Sequence, residues 1–282
     1  MLDQSISRRK FLTGAGVVVG AAAVTGISFA GSPESAQAAG TAVPWPYPTA
    51  PADQPVPEVL GRRAFEVYMT AGKGCAEASW WPFVEWLSTA NPTTWGTLPA
   101  NIFRYGAGGV AGWGTVCGTL NAAAAVINMA VADGTHRTNL TNAIFQYYAT
   151  TPLPSNAAWK SYQKALGLTT DWAPSTLPLE NVPTSTADSP LCHSSLVQWT
   201  MATGAANGGP LQKDRCGKAC FDVTRKLTEL LNAYFQTLTA GAVTLDPSVT
   251  ACGACHVTYT GAKMACGSCH DETIDHSGGQ LP

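Results

Sequence analysis

Near the end of the 282-residue chain two short stretches repeat with few changes, Ala251-Cys252-Gly253-Ala254-Cys255-His256 and Ala265-Cys266-Gly267-Ser268-Cys269-His270. In each, the two thiols have the spacing at which both can form thioethers with the vinyl groups of one porphyrin, and the imidazole that follows at once can coordinate its iron. The repeat predicts two haem c groups per chain, attached through Cys252, Cys255, Cys266 and Cys269, with His256 and His270 as proximal iron ligands. The same four thiols also read as two CxxC knuckles able to close a tetrahedral zinc site. Zinc, however, gives no reason for a histidine directly after the second cysteine in both copies.

Nine cysteines less these four leave Cys75, Cys117, Cys192, Cys216 and Cys220. Five thiols allow two disulfides and one free thiol, the default in an exported chain, or an iron–sulfur cluster that takes three or four thiolates. Cys216 and Cys220 fall one turn apart on an expected helix, where both sulfurs can face one metal centre but are poorly placed to pair with each other. Cys117 stands at the mouth of a small-apolar helix, where backbone N–H groups and the helix dipole favour a thiolate. It also reads as an inert thiol packed among Ala and Gly.

Three histidines, His136, His193 and His276, are left for the sixth positions of two haem irons. Two strong-field imidazoles keep an iron low-spin, which suits electron transfer, whereas an open position suits small-molecule chemistry. If Cys192 serves a cluster, His193 lies beside it and away from the haems, so His276 and His136 are the expected distal ligands.

The elements that must position these groups begin after a leader. Ser7-Arg8-Arg9-Lys10-Phe11-Leu12, the weakly apolar run from Gly14 to Gly31 and the small residues Ala36-Gln37-Ala38 read as a twin-arginine signal peptide over 1–38, with cleavage near Ala39 and no membrane anchor afterwards. This predicts a periplasmic protein. That route carries chains already folded, whereas haem c is attached after export, so it points to a second cofactor besides haem. Residues 39–57 form a Pro-rich segment expected to lie extended over the surface. Helical periodicity then runs through residues 58–245: Leu60 to Ala71, Ser79 to Thr89 with Pro82 in its first turn, Asn121 to Val131, a helix after His136, Asn156 to Leu168 capped by Ser155, a helix from Leu191, and the longest from Lys213 to Leu238. A Pro/Ser/Thr-rich crossing from Thr169 to Pro190 is expected to be a long ordered loop. The fold class expected is mainly α, a helical cysteine-containing domain followed by an irregular dihaem-binding segment over 246–282.

Only 12% of residues are charged and the net charge is −2. Loss of 1–38, with Arg8, Arg9 and Lys10 against Asp3 and Glu34, would take it to about −3. Such a chain is no nucleic-acid binder. A surface so poor in charge favours association with other protein.

Taken together, Cys75, Cys117-Gly118 at a Gly/Ala-rich helix start, Cys192 and Cys220, with a tail carrying two CxxCH sites, resemble split-Soret cytochromes c across the whole expected mature chain. That resemblance implies a helical protomer, two closely stacked c-type haems, an iron–sulfur cluster of the [2Fe–2S] type, and a homodimer that gathers four haems at one end and exchanges electrons with redox partner proteins. The cluster ligands expected in this chain are Cys117, Cys192, Cys216 and Cys220, with Cys75 in reserve. Val116-Cys117-Gly118-Thr119-Leu120-Asn121 departs from the Gly-Cys-Ala-x-x-Gly form of the family, and Cys216 is an additional thiol. The function expected is electron transfer. The alternative is reduction of nitrite, peroxide or a sulfur oxyanion at an open haem.

Overall fold

The computed structural model describes residues 44–155, 157, 182–247, 249 and 263–264. The signal peptide, both CxxCH sites, His276, the crossing over 169–181 and almost all of the helix expected over 156–168 lie outside the described residues.

The described residues form six α-helices and no strand, which is the mainly α class expected: α1 Pro57–Met69, α2 Cys75–Ala90, α3 Gly118–Ala130, α4 Gly134–Thr150, α5 Cys192–Thr203 and α6 Pro210–Thr237. The boundaries follow local chemistry. Asp133 caps α4 by accepting the His136 N–H at 2.8 Å. Gly204, at φ 67°, ends α5 in the left-handed region, and a proline in the first position presets the backbone of α6.

Helix α2 is longer than expected. It begins at Cys75, so Pro82 lies inside it rather than in its first turn. Gly74 supplies the extended residue before the helix, and Cys75-Ala76-Glu77-Ala78 continue it without a breaker. Proline at position 82 cannot donate to the carbonyl four residues back, a local loss that burial of Trp80, Phe83 and Leu87 offsets.

Helix α6 is the axis of the domain. Every residue from Asp214 to Thr224 is buried. Its most extensive partner is α1, with α3, α2 and α4 around it. The two axes come close because Gly217 presents no side chain to α1: a Cβ there would stand 2.9 Å from Met69 Sδ.

The Pro-rich segment, described from residue 44, is extended except for a 3-10 turn at Pro51–Asp53, and two of its aromatics are core residues. Trp45 donates its backbone N–H to Met129 O and meets Trp95 edge to face at 5.5 Å. Tyr47 stacks on Phe235 at 4.7 Å and donates its hydroxyl to Asn232 Oδ1 at 2.7 Å. Proline removes backbone donors that a surface strap does not use, and the aromatics between the prolines supply the anchoring.

Candidate metal centre

The centre is built around the glycine-rich turn between residues 105 and 115. Gly108, Gly109, Val110, Ala111 and Gly112 are consecutive residues at positive φ, between 50° and 82°. For Val110 and Ala111 this conformation costs about 1–2 kcal/mol each. Backbone bonds hold it, Ala111 N–H to Tyr105 O at 2.9 Å, Gly114 N–H to Gly108 O at 3.0 Å and Thr115 N–H to Gly109 O at 3.1 Å. The turn lets three helix starts crowd together. A Cβ on Gly109 would stand 2.8 Å from Cys192 Cβ, one on Gly114 2.8 Å from His193 Cβ, and one on Gly118 3.0 Å from Cys75 Cβ. A short antiparallel bridge locks two of the starts, with Cys192 N–H to Thr115 O at 2.7 Å and Cys117 N–H to Pro190 O at 2.9 Å.

As a result Cys75 is the first residue of α2, Cys117 caps α3, and Cys192 is the first residue of α5. Three positive helix ends, each equivalent to roughly half a charge, surround one group of thiols. Cys216 and Cys220 join it from the buried stretch of α6. All five cysteines are buried and none is in a disulfide, so two bridges plus one free thiol is not the arrangement observed.

The thiols fall into two sets. Cys117 interacts directly with Cys192. Cys75 interacts directly with Cys216 and Cys220, and Cys220 Sγ lies 3.8 Å from Cys75 O, to which it donates. Between the sets the charge of Cys117 is felt at Cys75 and Cys216. Hydrogen bonding from Cys192 pulls the Cys117 thiol down to about 5, against its burial, with Tyr148 and Thr119 acting in the same direction. Thr119 Oγ1 lies 3.5 Å from Cys117 Sγ. The Cys192 thiol is correspondingly pushed up, first by its bond to Cys117 and then by burial.

Two further residues belong to the centre, and sequence reasoning missed both. Arg215, only 3% exposed, donates to Ser195 Oγ at 2.5 Å and approaches Cys216 Sγ at 4.0 Å. Burial works against its charge, but Tyr148, Cys216 and Cys117 hold the guanidinium above its ordinary range. Its Nε has no hydrogen-bond partner. The Tyr148 hydroxyl is likewise buried without a partner, close enough to Cys117 for their charges to interact. Charge and polarity are thus supplied beyond what the thiols need. The only signal in the sequence was adjacency of Arg215 to Cys216 and the placement of Tyr148 one stripe along α4 from Leu140 and Ile144.

Among the described residues no three Cys, His, Asp or Glu side chains stand close enough to hold a single ion. A two-iron cluster makes a different demand, thiolates in pairs on separate irons. Two sets of free buried thiols, a buried cation and unpartnered polar atoms fit such a cluster. They also bring Cys75, held in reserve by sequence, fully into the group with Cys117, Cys192, Cys216 and Cys220.

The histidines are placed differently. His136 lies at the start of α4, where its Nδ1 accepts the Ala240 N–H at 3.2 Å and its ring packs 5.6 Å from Tyr234. Because a backbone N–H only donates, Nδ1 is the acceptor in that bond. His193 is exposed beside Cys192. His256, His270 and His276 lie outside the described residues, as do Cys252, Cys255, Cys266 and Cys269.

No family model matches the chain. Over 225 residues, 79% of this chain and 75% of the relative, it is 26% identical to split-Soret cytochrome c of Desulfovibrio desulfuricans. Among solved structures it is similar to the split-Soret cytochrome c of the same species, described as containing a novel iron centre, with a TM-score of 0.65 and 23% identity over 82% of this chain and 91% of that one. The likeness to split-Soret cytochromes read from the cysteine pattern is therefore found again in overall sequence, and the fold is shared.

Proposed function

We propose that the chain is an exported electron carrier with two covalent haem c groups, at Cys252/Cys255 and Cys266/Cys269, and one [2Fe–2S] cluster among the buried thiols. The haem electron-transfer role is supported by the relative of that type. The observation that carries the second cofactor is the convergence, on one group of unpaired thiols, of three cysteine-bearing helix starts and a buried guanidinium that no carboxylate meets among the described residues.

The residues of the centre have separable tasks. Cys117 and Cys192 offer thiolates from one side, and Cys75, Cys216 and Cys220 from the other, so four can bind and one is left over. The helix ends and Arg215 stabilise the negative charge of the assembly in a water-excluded site. The unpartnered Tyr148 hydroxyl and Thr119 Oγ1 can donate to sulfur, which raises the reduction potential of such a centre. A bound cluster supplies one-electron storage there. His256 and His270 are assigned as proximal haem ligands and His276 as a distal one. The carrier works in the periplasm, reached through the twin-arginine signal, as a homodimer facing redox partner proteins. No helix among the described residues is long and apolar enough to cross a membrane.

Iron, acid-labile sulfide and covalent haem per chain test the reading directly. Four irons, two sulfides and two haems are expected, with low-spin haem spectra indifferent to added nitrite or cyanide. Two irons without sulfide would overturn the cluster, and a high-spin haem that binds nitrite would favour the reductase alternative.

A further inference from the structure

Five thiols face the centre and four are enough for a two-iron cluster, so one of Cys75, Cys216 and Cys220 stands apart. Bonds among the thiols themselves end once metal replaces their hydrogens. What separates the three sulfurs is therefore what the rest of the protein presents to each. A ligating thiolate carries no hydrogen and can only accept, so donors must face it. A carbonyl oxygen in that place would set lone pair against lone pair. A thiol that keeps its hydrogen needs the reverse, an acceptor.

Cys216 meets donors. Arg215 Nη1 lies 4.0 Å from its Sγ, and the Tyr68 hydroxyl bonds the same side chain. Tyr68 reaches it from α1, half-buried and packed against the apolar group that contains Cys75, Cys216 and Cys220. Gly217, the neighbour of Cys216, leaves room for that ring: a Cβ there would stand 3.2 Å from Tyr68 Cδ1. Cys75 meets donors of another kind. It is the first residue of α2, where the backbone N–H groups of the first turn have no partner within the helix and the positive helix end favours a thiolate.

Cys220 is placed the other way. It lies deep inside α6, where the backbone N–H groups are spent on the helix itself. Its Sγ stands 3.8 Å from Cys75 O and donates to it. It is fully buried, in the same apolar group as Ala64 and Val67. A sulfur whose fixed neighbour is a carbonyl suits a thiol that keeps its hydrogen.

We infer that Cys75 and Cys216 are the ligands on this side of the centre, that Tyr68 and Arg215 are positioning residues for Cys216, and that Cys220 is the spare thiol, fastening α6 to the start of α2 through the Cys75 carbonyl. The inference rests on the cofactor reading above, and it reverses the order of Cys75 and Cys220 expected from sequence. On loading, Cys75 and Cys216 each exchange an S–H bond for an S–Fe bond and release one proton to solvent, whereas Cys220 releases none.

The test uses the full-length, cofactor-loaded protein. In Cys220→Ser, whose hydroxyl can still donate to the Cys75 carbonyl, iron and labile sulfide stay at the parent's level and the spin-resonance spectrum of the reduced cluster is unchanged; Cys220→Ala retains the cluster too. In Cys75→Ala and Cys216→Ala labile sulfide falls at least tenfold while both haems remain. Tyr68→Phe, which keeps the ring and removes the hydroxyl, retains the cluster and favours its oxidised form threefold or more in a redox titration. Loss of sulfide from both Cys220 variants, or an altered spectrum in Cys220→Ser, makes Cys220 a ligand and overturns the assignment, as does a retained cluster in Cys75→Ala or Cys216→Ala. An unchanged potential in Tyr68→Phe overturns the role of Tyr68. Failure of the cofactor reading shows separately, as labile sulfide absent from the parent itself.

Discussion

Helix α6 carries two buried polar groups about half a turn apart, and they are built on opposite principles. On one side Asp214, Lys218 and Asp222 follow each other at one-turn spacing. Lys218 Nζ stands 3.1 Å from Asp214 Oδ2, and Asp222 accepts from Ser155, through the backbone N–H at 2.6 Å and the hydroxyl. On the other side are Cys216, Cys220 and Arg215, where no carboxylate pairs with the guanidinium among the described residues. The first group sets a lysine against carboxylates of its own helix, as buried charges in a structural network are arranged. The second brings a cation, three helix ends and five thiols to one place with too little protein to answer them, which is the arrangement expected where something other than protein completes the site.

That contrast can be broken most severely by removing a thiol. Cys117→Ala or Cys192→Ala is expected to eliminate the cluster, with iron falling to the two atoms of the haems. Comparing Cys75→Ala, Cys216→Ala and Cys220→Ala by the same iron and sulfide analysis then sharpens it, since one of the three should retain the cluster if four thiolates suffice. Arg215→Met comes next. Loss of the buried cation should favour the oxidised centre tenfold or more, a fall of about 59 mV or greater for one electron, read by redox titration; an unchanged potential would place Arg215 in the structural group instead.

The balanced side makes a prediction of its own. Burial raises the Asp222 carboxyl from 3.8 to about 6, against the bonds from Ser155. A carboxyl whose folded value is raised favours folding while protonated, so its contribution is complete below about pH 4 and is lost as pH rises through about 6. The loss amounts to about 3 kcal/mol. Denaturant unfolding at pH 4.5 and 7 should show this decline in the parent and a flatter profile in Asp222→Asn, which cannot ionise. The smallest effect is expected at His136. His136 Nδ1 is bonded to Ala240, and His136→Ala is expected to leave the haem absorption and spin state unchanged; a shift to high spin would identify it as a distal ligand.

How much of this was legible in the sequence depended on how locally each feature is encoded. The CxxCH sites are complete within six residues and need no fold to be read. The helices announced themselves through apolar spacing, and the position of Cys117 as a helix cap followed from the apolar run after it. The start of α2 did not, because Gly72 to Gly74 look like an ending and Cys75 then seems to belong to a loop. The membership of Cys75 in the centre was hidden for a related reason: its partners lie on α6, some 145 positions away, and only tertiary packing relates them. Trp45 and Tyr47 were read with the prolines around them as surface, although aromatic bulk within an extended strap is what fixes it to a core. Lys218 and Asp222, on a helix that also carries Lys213, Arg225, Lys226 and Glu229, gave no sign of burial, since each depends on a partner supplied by packing.

The meeting of three helix starts has one more consequence, mechanical rather than electronic. Cys75 and Cys117 are 42 positions apart, and Cys117 and Cys192 are 75. A metal group bound to all three ties off both stretches of chain as a pair of covalent cross-links would, and closure of loops of these sizes is worth about 4 kcal/mol each on the chain-entropy scale for disulfides. The strained turn from Gly108 to Gly112 then has a restraint on each side that outweighs its cost. Under the cofactor reading proposed above, acquiring the cofactor and committing to the fold would be the same event, and a chain not yet loaded would be slack.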